Sequence, residues 1–110
     1  MKIINLTPHD LSLITSNGIT VTIARSGEIA RLAITREARA ELHVGSDVFT
    51  VSRPTLGEIT GLPPAQDGVI FIVSALVAEA ASRGDVMSPG ELVRDSGGMV
   101  IGAKGLCSYQ

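Results

Sequence analysis

Four residues late in the chain have the types and spacing to grip a small anion. They are Arg83 with Asp85, and Arg94 with Asp95, on either side of the Val86–Gly90 segment. Arginine presents a planar donor fork suited to a phosphate and can stack on a base. Aspartate accepts from an adenine amino group or a ribose hydroxyl. Phe49, Phe71 and Tyr109 are the only stacking candidates in a chain with 3% aromatic residues and no Trp. The competing reading is a pair of salt bridges that pin the loop and a hairpin turn, which contribute little when exposed. For Phe71, set between Ile70 and Ile72, the competing reading is a core position.

Other residues carry weaker chemical signals. Thr7-Pro8-His9-Asp10 places a histidine beside a carboxylate, the pairing of a general base with its orienting group. Neighbours on a strand point to opposite faces, and no nucleophile is placed beside them, so the favoured reading is a turn leading into a strand, with Thr7 and Asp10 bonding backbone groups. Ser74 ends an apolar strand and opens a helix, where N–H groups and the dipole favour anions. The glycines of a phosphate-binding loop or nucleophile elbow are missing there, which leaves an ordinary N-cap. Gly98–Lys104 has the wrong spacing for a Walker A loop. His43 lies between Leu42 and Val44. With His9 and His43 the only histidines and Cys107 the only cysteine, neither a metal site nor a disulfide is expected, and no cofactor is implied. Arg53, ahead of Pro54, suits a pocket rim or an oligomer contact.

These residues must be positioned by a small scaffold. The 110 residues make one domain, 1–110, with a modest core drawn from the Ile, Leu, Val and Ala that dominate its 45% apolar content. Twelve glycines and five prolines imply many turns and short strands. The net charge of −2 provides no field for duplex nucleic acid. The N-terminal segment lacks a signal-peptide core, and the longest apolar runs are too short to span a bilayer. The expectation is therefore a cytoplasmic protein with no membrane partner.

The chain predicts a strand over 2–6, then a hairpin over 11–24 turning at Asn17-Gly18, the residue pair of a type I′ turn. A further strand follows over 28–34. Residues 35–41 read as loop or short helix, with loop favoured. Residues 42–52 read as strand, turn and strand. The stretch 53–64 reads as irregular, with a short strand at 57–60. Val69–Val73 is apolar and β-branched, a strand buried on both faces. Ser74 caps a helix over about 75–82, with Arg83 at its C-terminus and Gly84 past its end. A loop over 85–90, short strands at 91–94 and 99–102 and an edge strand at 105–109 complete the fold. The expected class is α+β, a mostly antiparallel sheet of short strands and hairpins with one main α-helix.

With these segments laid out, the chain resembles a group of short uncharacterised proteins of phages, prophages and bacterial genomes. The likeness rests on Asn5–His9 (NLTPH), Gly61–Pro63, Ile72–Ser74, Arg83–Asp85, Pro89-Gly90, Val93–Asp95 and Ile101-Gly102, and it covers most of the chain. In length and in its late aromatic, Arg and Asp residues it is also similar to the Thoeris anti-defence sponges. That similarity implies sequestration of cyclic ADP-ribose-type signals without cleavage. No ligand-binding residue carries over from it. The leading functional expectation is a non-enzymatic, homo-oligomeric binder of a small anionic, nucleotide-like molecule through Arg83, Asp85, Arg94, Asp95 and Phe71. The alternative is an interaction or structural module acting on a host protein. A hydrolase using His9 with Asp10 or Ser74 ranks third.

Overall fold

The computed structural model describes residues 1–110. The chain is mostly β, with one short helix. Six strands form one sheet: β1 (Lys2–Asn5), β2 (Leu11–Ile14), β3 (Thr20–Ile23), β6 (Val69–Ile72), β7 (Val86–Arg94) and β8 (Val100–Ser108). Their order is β1-β6-β7-β8-β2-β3. Two longer strands, β4 (Arg31–Val44) and β5 (Asp47–Thr60), pair only with each other. The single helix α1 (Ala75–Ala81) joins β6 to β7.

The large sheet is mixed. The β1–β6, β6–β7 and β2–β8 pairings are parallel, while β7–β8 and β2–β3 are antiparallel. The sheet curls until its two edges meet. Asn5, at the end of β1, bridges Arg25 just beyond β3, and the Ser26 N–H donates to the Asn5 carbonyl at 3.0 Å.

The apolar run that predicted a doubly buried strand forms β6, next to the sheet edge and flanked by β1 and β7. Period-2 alternation sends Phe71 to one face and Ile72 to the other. Phe71 packs with Leu6, Ala30, Val73, Val77, Ala78 and Val86 under the helix. Ile72 packs with Leu13 and Ala103 inside the curl. The core is small: only 13 of the 110 residues are buried, so most of the chain takes little stabilisation from burial.

Ser74 caps α1 as expected, its hydroxyl accepting from the Val77 N–H at 3.5 Å. The left-handed residue at the helix end is Ser82 (φ 48°), not Gly84. The Ser82 N–H returns to the Ala78 carbonyl at 3.0 Å, so the helix stops two residues before the glycine.

Three segments differ from the sequence expectation. Residues 35–41 are strand, inside β4, and 53–56 are strand, continuous with the expected strand at 57–60 inside β5. Pro54 is tolerated because each strand of a two-stranded ribbon is an edge, where a missing N–H leaves few ladder bonds unmade. The 85–90 loop is also strand beyond Asp85: β7 runs unbroken from Val86 through Pro89 and Gly90. At Gly90 the opposite strand comes so close that a Cβ would run into the Lys104 carbonyl, which explains the glycine after Pro89.

The turns are economical. Asn17-Gly18 does turn a hairpin, but only Gly18 has positive φ (84°). The Thr15 N–H donates to the Ile19 carbonyl at 2.8 Å, closing a three-residue loop of the type I plus bulge kind rather than type I′. The β7–β8 loop repeats this design, with Asp95 bonded to Met99 and Gly98 at φ 84°. At the arm tip, Gly45 (φ 62°) starts a two-residue turn between Val44 and Asp47, as a type II′ turn requires.

Candidate functional site

The expected site residues fall into two separate places. Arg83 and Asp85 face each other across the end of the β6–α1–β7 crossover. Arg83 Nε donates to Asp85 Oδ1 at 3.0 Å and its terminal nitrogen to Oδ2 at 2.7 Å, a bidentate pair. The remaining arm of the guanidinium donates to the Pro63 carbonyl at 3.0 Å. The pair is partly buried, and the Arg83 fork, by hydrogen bond and by charge, holds the Asp85 carboxyl below its ordinary value of 3.8 against an opposing effect of burial. Arg83 thus has its donors turned inward, tying the crossover to the Leu62-Pro63 segment.

Arg94 and Asp95 stand at the far end of β7. Arg94 ends the nine-residue β7 that begins just after Asp85, about 30 Å away at roughly 3.3 Å per residue. Asp95 accepts from the N–H groups of Gly97 (2.9 Å) and Met99 (3.0 Å), while Arg94 donates to the Gly98 carbonyl at 2.9 Å. These are the bonds of a hairpin tip. The side chain of Phe71 has no exposed surface. The structure therefore does not bring Arg83, Asp85, Arg94, Asp95 and Phe71 together around one cavity.

The Asn5–Asp10 segment holds the densest hydrogen-bond network in the molecule. The buried Asn5 amide donates to the carbonyls of His9 (2.8 Å) and Ile23 (3.1 Å). Its oxygen accepts from the Thr7 N–H (2.9 Å) and the Thr7 hydroxyl (2.7 Å). The Asn5 carbonyl takes the Ser26 hydroxyl at 2.8 Å. Asp10 accepts the Arg25 N–H at 2.9 Å. The Asn-Leu-Thr-Pro-His stretch is thus the seam that closes the curled sheet, and its chemistry is spent on backbone groups of the β1–β2 and β3–β4 connections. Its spacing marked it as a turn; that the turn also staples β1 to β3 depends on a contact across 18 residues that no local pattern encodes.

The remaining polar candidates are dispersed. His43 lies 3.4 Å from Glu41, both exposed on the arm, and Arg39 lies 3.9 Å from Glu37. Arg53 sits opposite Glu37 in the arm register. Cys107 is exposed. No three His, Cys, Asp or Glu side chains converge to hold a metal ion. No helix is long and apolar enough to cross a membrane.

What the local residue chemistry did not reveal is an apolar surface. The β4–β5 arm carries exposed Leu42, Val44, Phe49 and Val51. Directly paired residues of an antiparallel ladder share a face. The pairs Leu42–Phe49 and Ala40–Val51 are two residues apart along each strand, so they fall on the same face. The opposite face carries His43 with Val48 and Glu41 with Thr50. A second apolar surface lies at the mouth of the curled sheet, where Ile3, Leu13, Val21, Ile23 and Leu106 line an almost wholly nonpolar cleft of about 220 Å³. Searches of protein-family models, curated proteins and solved structures give no match to this chain.

Proposed function

We infer that the chain works as a binding module for another polypeptide, through the apolar face of the β4–β5 arm. The arm itself carries this reading. A lone two-stranded hairpin is marginal in water, yet β4 and β5 keep twelve paired positions over 14 residues each. Leu42, Val44, Phe49 and Val51 stand half-exposed on one face of its outer half, against Val48 alone on the other, and contiguous exposed apolar side chains mark surfaces that take a partner. The test is capture from the lysate of a native host, comparing the wild-type chain with a Leu42→Asp/Phe49→Asp variant and measuring self-association of both. A protein, or a second copy, held by wild type and lost by the variant supports the reading. A chain that stays monomeric and holds nothing the variant fails to hold overturns it.

A second reading, a binder of a small anionic nucleotide-like molecule, is favoured by one observation. Beside the β2–β3 turn, Lys104 lines a shallow open groove of about 690 Å³ together with Thr15, Ser16 and Gly18, which places a cation beside two hydroxyls. Calorimetry with cyclic nucleotides and ADP-ribose derivatives tests it. Heat abolished by Lys104→Ala supports it, and no heat from any of them dismisses it.

A further inference from the structure

The arm and the mouth of the sheet are two apolar surfaces that lie apart within one chain. The arm meets the body at its base, where Leu32 and Ile59 pack on the core beneath α1. Leu42 and Phe49 sit ten residues further out along each strand, about 33 Å away. The mouth lies among β1, β2, β3 and β8, strands on which the arm does not pack. At about 220 Å³ the mouth is smaller than the roughly 300–1,000 Å³ of typical small-molecule sites. It suits one or two large side chains of an inserted polypeptide. Its polar surface is negligible, which disfavours a charged occupant.

The size of the uncovered surface points to what covers it. The chain exposes 7506 Å², whereas a compact monomer of its 11.4 kDa would expose roughly 5,800 Å². The excess is about 1,700 Å² per chain. Two chains that each bury this excess against the other would bury about 3,400 Å² in total, within the range of obligate homodimers and above a standard interface of roughly 1,600 Å². A knob and a hole on the same chain also allow a closed, two-fold arrangement in which every arm finds a mouth and no surface is left to propagate.

Resting on the reading of the arm as a binding surface, we propose that its occupant is a second copy of this chain. The two copies exchange arms reciprocally. The Leu42–Phe49 face of each arm lies on the Ile3, Val21 and Leu106 mouth of its partner.

Sedimentation velocity over a range of concentrations tests this with three single variants: Phe49→Asp on the arm, Val21→Asp at the mouth and Glu79→Gln on the exposed face of α1. The wild type and Glu79→Gln are expected to sediment as dimers. Phe49→Asp and Val21→Asp are each expected to weaken the dimer about thirtyfold or more, the loss typical of a central interface residue. Both positions are exposed, so each variant is expected to keep its strands, which circular dichroism checks. In a Cys107→Ser background, a chain with Phe49→Cys mixed with one carrying Val21→Cys is expected to form a disulfide-linked heterodimer under mild oxidation. A monomeric wild type overturns the proposal, as does a dimer insensitive to either charge, or a crosslink confined to position 49 with position 49. If the wild type is monomeric but captures a different protein through its arm, the proposal fails while the arm's role as a binding surface stands. If it captures nothing either, both fail.

Discussion

At the scale of single residues, the polar side chains that looked most like chemistry prove to hold backbone in place. Asn5 is the clearest case: its amide makes four hydrogen bonds and its carbonyl two more, at the seam where the sheet closes. Asn5→Ala takes the side-chain partner from the Thr7 N–H and the Ile23 carbonyl, each at a cost of about 1–3 kcal/mol, while the Thr7 hydroxyl can still donate to the His9 carbonyl. The expected loss of stability is about 2 kcal/mol or more, read by urea unfolding, and Asn5→Asp should not restore it because the two donors are lost. The Arg83–Asp85 pair makes a pH-dependent contribution. The folded carboxyl titrates below its ordinary 3.8. Its stabilisation is therefore fully present above that value and is lost as pH falls through the lower, folded value. Unfolding free energy measured from neutral pH down through the acid range should decline more steeply for the wild type than for Asp85→Asn, which should be less stable at neutral pH and converge with the wild type in acid. Equal slopes would show that the pair does not couple protonation to folding. Arg83→Lys should recover only part of the loss, since an ammonium cannot span both carboxylate oxygens and the Pro63 carbonyl.

At the scale of elements, what was legible in the sequence had a local cause. The β6 strand, the Ser74 cap and the first hairpin follow from apolar runs, a capping hydroxyl and an Asn-Gly pair, and they stand where those signals put them. The arm's tip, 42–52, was legible as strand, turn and strand and its base at 57–60 as a short strand; its full length was hidden because residues 35–41 and 53–56 mix Arg, Glu, Ala and Pro, which dilute any period-2 pattern. Register shifts near Ala33 and Arg39 then swap the faces partway along. The length of β7 was hidden by Ser88-Pro89-Gly90, turn residues by composition that the close approach of β8 holds in strand. The ligand cluster failed for a related reason. Two Arg-Asp neighbourhoods nine residues apart adjoin if a loop lies between them and sit at opposite ends if a strand does. The first hairpin carries a test of its turn. Because only Gly18 has positive φ, Gly18→Ala should cost about 1 kcal/mol or more, while Asn17→Ala should cost a few tenths. A type I′ turn would make both substitutions costly, so thermal unfolding of the two variants separates the geometries.

At the scale of the whole molecule, the chain is too extended for its size. Its radius of gyration is 17.5 Å, against about 13 Å for a compact domain of this length. The surplus lies in the arm, whose paired strands bring little apolar surface out of water within their own chain. The stability of the arm then depends on whatever covers it, and if a second copy does, folding is coupled to association. Mass action gives that coupling a measurable form, because whatever binds only the folded state raises the apparent stability as its concentration rises. Each tenfold increase in protein concentration adds about 1.4 kcal/mol per dimer. Over a roughly hundredfold range the unfolding midpoint of the wild type should rise by about 5–10 °C. The Phe49→Asp chain, unable to seat its arm, should unfold at one temperature throughout that range. Its arm amides should exchange with solvent far faster than those of β6 and β7, because nothing then protects the outer ladder from opening. A wild-type midpoint that ignores concentration would mean that the arm is stable uncovered, and its apolar face would then need a different explanation.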